Sequence, residues 1–510
     1  MKYSDKTGKK IKKAAFVFIL LSVVFAFTEA YADGEGFYEP NPNMLIGLIY
    51  GGGAVESFQT SSDTGFLFGY VGRGASDKFT VLSYSASKKI KVSRGKSNDT
   101  LIVANPDTGE VLLEYPGGGN YFAAAAATES NKNTAPGQAI TALSAENTGF
   151  TATPAGNINF GAFIYRMTGG GRVEVINLIS LEDYIKGVIP YEISPDWPDE
   201  ALKAFSVTVR SYSLSSAGRH ADAGFMLCNS THCQFYAGSR RATEKSNAAA
   251  DATKGAALVY DGQIAEAVYH SSSGGVTENH NDAWGGDARL PYLSSVAVPH
   301  ERYAEPGRAN SLWVNTVSPK GLYDYLVGES PQAPGFKGRL NSEIASITVN
   351  GRSPVSNYIK SATVTDKNGN SVTLQNSDVI RSAFGKYANS ANMDIYKASK
   401  FKSFMLAGGG NTAVGRDIEP GATHILTANG VVKSTPGDGA LYVLAAGGKY
   451  SVRAYAAGGD FVFDGRGWGH GVGLSQWGMH DMAEAGMKYE EILKAFYTGV
   501  SMEKITDVEK

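Results

Sequence analysis

The sequence predicts an α+β protein, largely antiparallel β with a few helices, on three observations. Short apolar stretches broken by Gly, Asn and Pro turns fill residues 33–150 and again about 340–464. One stretch between them carries helical periodicity, and the C-terminus returns to helix in "MHDMAEAG" and "YEEILKAFYTG". With 510 residues, 43% hydrophobic and 19% charged, the chain can bury a sizeable core in two or three domains.

Taken in order, the chain opens on a targeting pattern. Lys9, Lys10, Lys12 and Lys13 precede an apolar run from Ala14 to Phe27, and Ala30-Tyr31-Ala32 supplies a small-x-small cleavage site. The run is short for a membrane span, so residues 1–32 read as a secretory signal cut after Ala32. The mature chain is then exported, and it associates with a membrane only if the segment is retained. Residues 1–32 carry a net charge of +4, so removing them from a total of −2 leaves the mature chain at −6. A mildly acidic chain without a basic block is a poor partner for nucleic acid.

Residues 33–150 follow as a β-rich region, with strands expected in "MLIGLIYGGG", "GFLFGYVGRG" and "TLIVANPDTGEVLLEYPGGG". The run from Ala123 to Gln138 reads as a flexible linker or long loop. Strands such as "GAFIYRM" and "RVEVINLIS" come next, and then a helix after Pro198. Asp199 and Glu200 suit its positive end, and Gly218 is a natural stop. Leu202, Phe205, Val209 and Tyr212 form its apolar stripe. Lys203 and Arg210 are seven apart and share another face, which predicts two cations side by side. Glu192 precedes this helix, in a segment expected to be irregular between Pro190 and Pro195. Read alone, each of these charges is an ordinary surface residue. A carboxylic acid beside a cationic face would also suit acid–base work on a sugar polymer.

Two further stretches carry chemistry. "GRGWGHGVGLSQWG" (465–478) has glycine at nearly every second position, without the spacing of a phosphate loop. Its glycines admit sharp turns or close approach of a ligand, Trp468 and Trp477 can stack on sugar faces, and His470, Ser475 and Gln476 offer hydrogen bonds. Tyr269, His270 and Ser273, in and beside "HSSSGGVTE", are similar candidates. "RHADAGFMLCNSTHCQFYAG" places His220, Cys228, His232 and Cys233 close together. Two thiols and two imidazoles are the donors zinc takes, and a local Cys228–Cys233 disulfide is the competing reading for an exported chain.

The phrases "LEDYIKGVIPYEISPDWPDEALKAFSVTVRSYSL", "AVYHSSSGGVTENHNDAWGGDARLPYLSSV" and "GRGWGHGVGLSQWGMHDMAEAGMKYEEILKAFYTGV" resemble, in this order, three blocks of the SpoIID/LytB family of bacterial cell-wall proteins. The resemblance spans about 150 to 503 and leaves 33–150 outside. It implies a cleft-forming catalytic region over 151–503, with peptidoglycan glycan strands as substrate and an extracytoplasmic place of work. It implies lytic transglycosylase chemistry, with Glu192 as the catalytic acid and base and Lys203 and Arg210 as substrate binders. It also implies zinc on His220, Cys228 and Cys233. The alternative within the family is a non-catalytic amidase enhancer that binds wall and serves an amidase partner. The chain reads "KAFSVTVRSY" where the family more often has "KAQAVAARTY", which places Phe205 at a polar position.

Overall fold

The computed structural model describes residues 42–397 and 459–508, apart from 73–77, 98–99, 141–150, 154–155, 287–289 and 306–311; between 398 and 458 it describes only isolated strands. The targeting segment and most of the Gly-rich turns expected near 405–447 lie outside the described residues. Among those described, no helix is long and apolar enough to cross a membrane.

The fold is α+β. Its strands pair mostly antiparallel, and the chain forms two compact units, 1–267 with 501–510, and 268–500.

The first unit is built on two sheets. One has eight strands, in the order Leu227–Cys228, Asn43–Ile49, Val173–Ser180, Ala162–Met167, Asn120–Ala126, Phe66–Gly72, Phe79–Ser85 and Ala139–Ile140. The other has six and includes Ser57–Ser61, Lys89–Arg94 and the short Ile158–Asn159 strand. Phe66, Phe68, Ile90, Val92, Phe122, Phe163 and Tyr165 form their shared core. Strands from both sides of residue 150 therefore lie in one sheet: Ala162–Met167 pairs with Asn120–Ala126.

That pairing corrects the linker reading for Ala123–Ala126, while 127–138 is irregular, as expected of a long loop. Ala123, Ala124, Ala125 and Ala126 form a fully buried central strand, between Phe66–Gly72 and Ala162–Met167. Alanine has low strand propensity, yet here the neighbouring strands supply the bulk and small side chains fit between them.

Two helices follow the last long strand. Helix α1 spans Leu181–Glu192 and is capped by Ser180, whose side chain accepts the Asp183 N–H. Helix α2 spans Asp199–Ser215, with its stripe of Leu202, Phe205, Val209 and Tyr212 buried. A third, Glu244–Ala252, starts on a capping box at Thr243 and Ser246.

The second unit combines a three-stranded sheet (Leu312–Val317, Phe461–Arg466, Met393–Lys397) with a three-stranded meander over Ile344–Gln375. Phe336, Ile359, Val364, Phe384 and Phe463 lie in its core. Tyr269–His270 pairs in parallel with Leu474–Ser475, which fixes the two chemistry-bearing loops against each other. The helices Gln476–Glu484 and Tyr489–Phe496 close this unit.

Candidate functional site

Glu192 is the last residue of α1, not part of an irregular segment. The α1 backbone runs through Pro190 and ends at Ile193, whose N–H bonds the Ile189 carbonyl. Proline is expected to break a helix, yet this one continues through Pro190 for two more residues without the N–H bond that Pro190 lacks. The Phe235 N–H donates to Glu192 Oε1 at 2.6 Å, which fixes the carboxylate. The surroundings are aromatic. Phe235 is 41% exposed, and Tyr191 meets it edge-on at 5.7 Å between ring centres. The Arg241 guanidinium lies 5.1 Å above the Tyr191 ring, and Tyr191 Oη donates to the Ala237 carbonyl at 3.3 Å. A held carboxylate beside an accessible ring and a cation is a surface on which a sugar can stack and be protonated.

The expected cationic face is not built. Lys203 is half-buried and pairs with Glu200 one turn back, at 2.9 Å. Arg210 is fully buried, and its fork grips Glu182 of α1: Nε to Oε1 at 2.9 Å and Nη2 to Oε2 at 2.7 Å. Its Nη1 donates to the Ala256 carbonyl at 2.9 Å. Helical spacing correctly put both cations on one face, but the Glu244–Ala252 helix and the 256–260 strand cover the Arg210 end of it. Arg210 is an internal tie, and a guanidinium so engaged cannot also bind a glycan.

His220, Cys228, His232 and Cys233 come together, with one ligand atom from each within 4.8 Å of the others. Cys233 Sγ lies 3.3 Å from His220 Nε2 and 3.6 Å from His232 Nδ1, and Cys228 Sγ is 3.7 Å from His232 Nδ1. A tetrahedral ion with the usual zinc–sulfur and zinc–nitrogen bonds would set these edges at about 3.6 Å, so the donor set fits zinc. Both cysteines are free thiols. Burial works against ionising Cys228, but hydrogen bonds from Ser230, His232 and Cys233 outweigh it and bring the thiol down to about 6. His232 is the donor added to the three expected from resemblance.

In the second unit the glycine-rich loop answers to geometry. Gly467, Gly469, Gly471 and Gly473 all have positive φ, and a Cβ on Gly473 would sit 2.1 Å from the Val268 carbonyl oxygen. The alternation lets the loop pack flat on 268–274. His270 and His470 then lie 5.6 Å apart, with the Trp284 ring 5.0 Å from His470. His270 donates Nδ1–H to the Val472 carbonyl at 3.1 Å, and His470 donates Nε2–H to Tyr269 O at 2.8 Å. Burial, then the His470 ring, pushes His270 down to about 3; burial pushes His470 down to about 4. Both are neutral imidazoles at physiological pH. Trp468 is 42% exposed and Trp284 36%, so this surface presents aromatic faces.

Ser273 and Ser475 do not join that surface. Both are fully buried, and with Ser272 they direct their hydroxyls at the buried Glu301 carboxylate. They hold the loops together and have no capacity left for a ligand. Gln476 is buried at the start of its helix, Trp477 is half-buried with its ring against His480, and Tyr269 is half-buried.

Residues 169–260 match the family described as Stage II sporulation protein, SpoIID. The chain is 30% identical over 324 residues to the amidase enhancer of Bacillus subtilis, covering 62% of this chain and 40% of that protein. It is 25% identical over 339 residues to stage II sporulation protein D of the same organism, covering 64% and 74%. Residues 169–260 thus carry the SpoIID family domain, and the chain is similar beyond it to proteins named amidase enhancer and stage II sporulation protein D. An uncharacterised protein of Brachyspira hyodysenteriae is 26% identical over 338 residues, covering 66% and 70%.

The SpoIID match contains α1, α2 and all four metal-donor residues. Sequence reasoning missed Phe235, Arg241 and Trp284. Phe235 had a signal, as an aromatic two residues after Cys233 in "HCQFY", but its backbone contact with Glu192 spans 43 residues and no local pattern reports it.

Proposed function

We propose that this protein is an exported cell-wall enzyme, a lytic transglycosylase that cuts the MurNAc–GlcNAc bonds of peptide-stripped glycan strands. The observation that carries the reading is the Glu192 carboxylate, held by the Phe235 N–H beside an exposed aromatic face. One carboxyl group suffices for this reaction. Protonated Glu192 gives its proton to the glycosidic oxygen as the C1–O bond breaks. The C6 hydroxyl of the same sugar attacks C1, and Glu192 takes the proton that this hydroxyl loses. The product closes as a 1,6-anhydro sugar, with no water consumed. Hydrolases that use water or a covalent intermediate need a second carboxylate in a defined place. In the second unit, the exposed Trp468 and Trp284 serve as glycan-binding surface, with rings to stack on sugar faces, while His270, only 4% exposed, holds the loop behind them.

His220, Cys228, His232 and Cys233 hold zinc in this reading. Bound there, the ion supplies structural cross-linking of the 220–233 loop, which leads directly into Phe235.

The test is digestion of purified, peptide-free glycan strands by the mature protein, with the products weighed by mass spectrometry. Fragments one water lighter than hydrolysis products support the proposal, and reducing ends make it a hydrolase. The second reading, an amidase enhancer that binds wall and acts through a partner, is favoured by the 30% identity to a protein of that name. Absence of any fragment, together with stimulation of an added amidase, would establish it instead.

A further inference from the structure

We propose that Arg241 selects the strand by charge: its guanidinium binds the free lactyl carboxylate of a muramyl unit, so a strand is refused for lacking that charge and not for the bulk of a peptide. This rests on the glycan reading above and gives it a specificity residue.

Residues 181–250 carry seven Lys and Arg side chains. Those near the acid are mostly committed. Arg210 grips Glu182, Lys203 pairs with Glu200, and Lys245 lies 3.4 Å from Asp199. Arg240 Nη1 donates to the Gly156 carbonyl at 3.1 Å. Arg241 is different. It is exposed, and among the described residues no carboxylate, carbonyl or hydroxyl accepts from it. Its guanidinium rests 5.1 Å above the Tyr191 ring. A ring beneath one face holds the planar group while its N–H donors, which lie in the plane, stay unspent. That in-plane fork matches a carboxylate, which can take two parallel bonds from it.

The backbone around Arg241 is fixed. The Ser239 N–H donates to the Ile158 carbonyl at 2.7 Å, and the Ala242 N–H closes a turn onto the Ser239 carbonyl at 2.9 Å. Thr243 then starts the Glu244–Ala252 helix with its capping box. The guanidinium is therefore presented from a rigid corner and not from a loose loop.

Its place also fits. Tyr191 directly precedes Glu192, its ring meets Phe235 edge-on, and the Phe235 N–H holds the acid. In a muramyl unit the scissile bond leaves C1 and the lactyl ether leaves C3 of the same ring. One sugar can thus meet both an acid and a cation that share the Tyr191–Phe235 platform. Where a stem peptide is attached, the lactyl carboxylate has become an amide, which offers no charge to the guanidinium.

The test uses short peptide-free glycan strands in two forms. One keeps its lactyl carboxylates; in the other, carbodiimide coupling to methylamine caps each as a small neutral amide. Binding of the mature protein to each is measured by calorimetry. The parent should bind the free acid about fivefold or more tightly, and by a smaller factor at about 0.5 M salt. Arg241→Gln should melt with the parent and bind both forms alike, at the parent's affinity for the capped strand. Arg240→Gln, one residue away and also exposed, should keep the full preference, which separates a contact from a general effect of charge. Equal affinity of the parent for the two forms, binding of neither, a preference that survives Arg241→Gln, or its equal loss in Arg240→Gln overturns the proposal. Anhydro products formed equally from both strands would sink the role of Arg241 and leave the transglycosylase standing; a charge preference without cleavage would do the reverse.

Discussion

Replacing Arg210 with alanine should unfold the first unit at a markedly lower temperature, not merely slow the enzyme. Arg210 is fully buried and Glu182 is 4% exposed, and two parallel N–H to carboxylate bonds of 2.9 and 2.7 Å join them. Deleting the guanidinium leaves the Glu182 carboxylate in the interior without its charge partner and frees the Ala256 carbonyl. Breaking a buried pair in this way costs about 3–5 kcal/mol. For a unit of this size, each kcal/mol moves Tm by roughly 2–4 °C, so the expected fall is about 6–20 °C. Arg210→Lys keeps the charge but loses the fork, and should fall between alanine and the parent. The double variant Glu182→Leu/Arg210→Met removes both charges with similar volume and should recover most of the loss. The assay is thermal and urea unfolding of all four proteins, followed by glycan binding of those that fold. An Arg210→Ala protein that melts within about 2 °C of the parent but fails to bind glycan would refute the reasoning and return Arg210 to the substrate surface.

Glu192→Gln keeps the Phe235 contact but removes the proton donor, so turnover should drop about 10²-fold or more while glycan binding persists; near-normal turnover would discard Glu192. A chelator should lower the melting temperature, metal analysis should find about one zinc per chain, and His232→Ala should hold the metal more weakly than the parent; a chelator-resistant protein with neither thiol alkylatable would mean a disulfide. His270 and His470, at about 3 and about 4, both lie below the ordinary histidine value near 6.5. The unfolded chain therefore binds more protons as pH falls below about 6.5, so their contribution is complete above that pH and lost toward 4 and then 3, at up to about 1.4 kcal/mol per pH unit each. Urea midpoints from pH 7.5 to 4.5 should show it, and His270→Asn should flatten the slope. A fragment starting at residue 151 lacks five of the eight strands in the larger sheet of the first unit and should be unfolded by circular dichroism, whereas a folded fragment would make 33–150 a dispensable module.

What the sequence revealed depended on how local the cause was. The stripe on α2 shows itself because its residues repeat at three and four, and all four are buried as that pattern requires. The same helical count put Lys203 and Arg210 on one face, but it is silent on what covers a face. Glu182 is 28 residues from Arg210 in sequence, Ala256 is 46, and the charge reads as exposed until they are placed. Ser273 and Ser475 were misread for the same reason: Glu301 collects both from a separate loop. Pro190 hid a helix because one residue's usual behaviour was allowed to outweigh the apolar spacing around it.

The N-terminal region is where this limit matters most for function. No motif marks residues 33–150, and the match to the SpoIID family begins only at 169. Yet the Asn43–Ile49 strand lies between Val173–Ser180 and Leu227–Cys228, with Gly47 beside Cys228. A Cβ on Gly47 would meet the Phe225 ring at 2.7 Å, so that position must stay bare for the 220–233 loop to close over it. Just beyond the strand, Tyr50 packs on Phe225 at 4.8 Å and on His220 at 6.2 Å. Its hydroxyl is pushed up to about 12, first by burial and then by its hydrogen bond to Cys228. A hydrogen-bond partner of this kind fixes the Cys228 thiol as effectively as a neighbour in sequence does. A strand outside the 169–260 match therefore supports the donor cluster directly. Strand register and the bare Gly47 provide that support, and neither makes a side-chain motif for pattern matching to find.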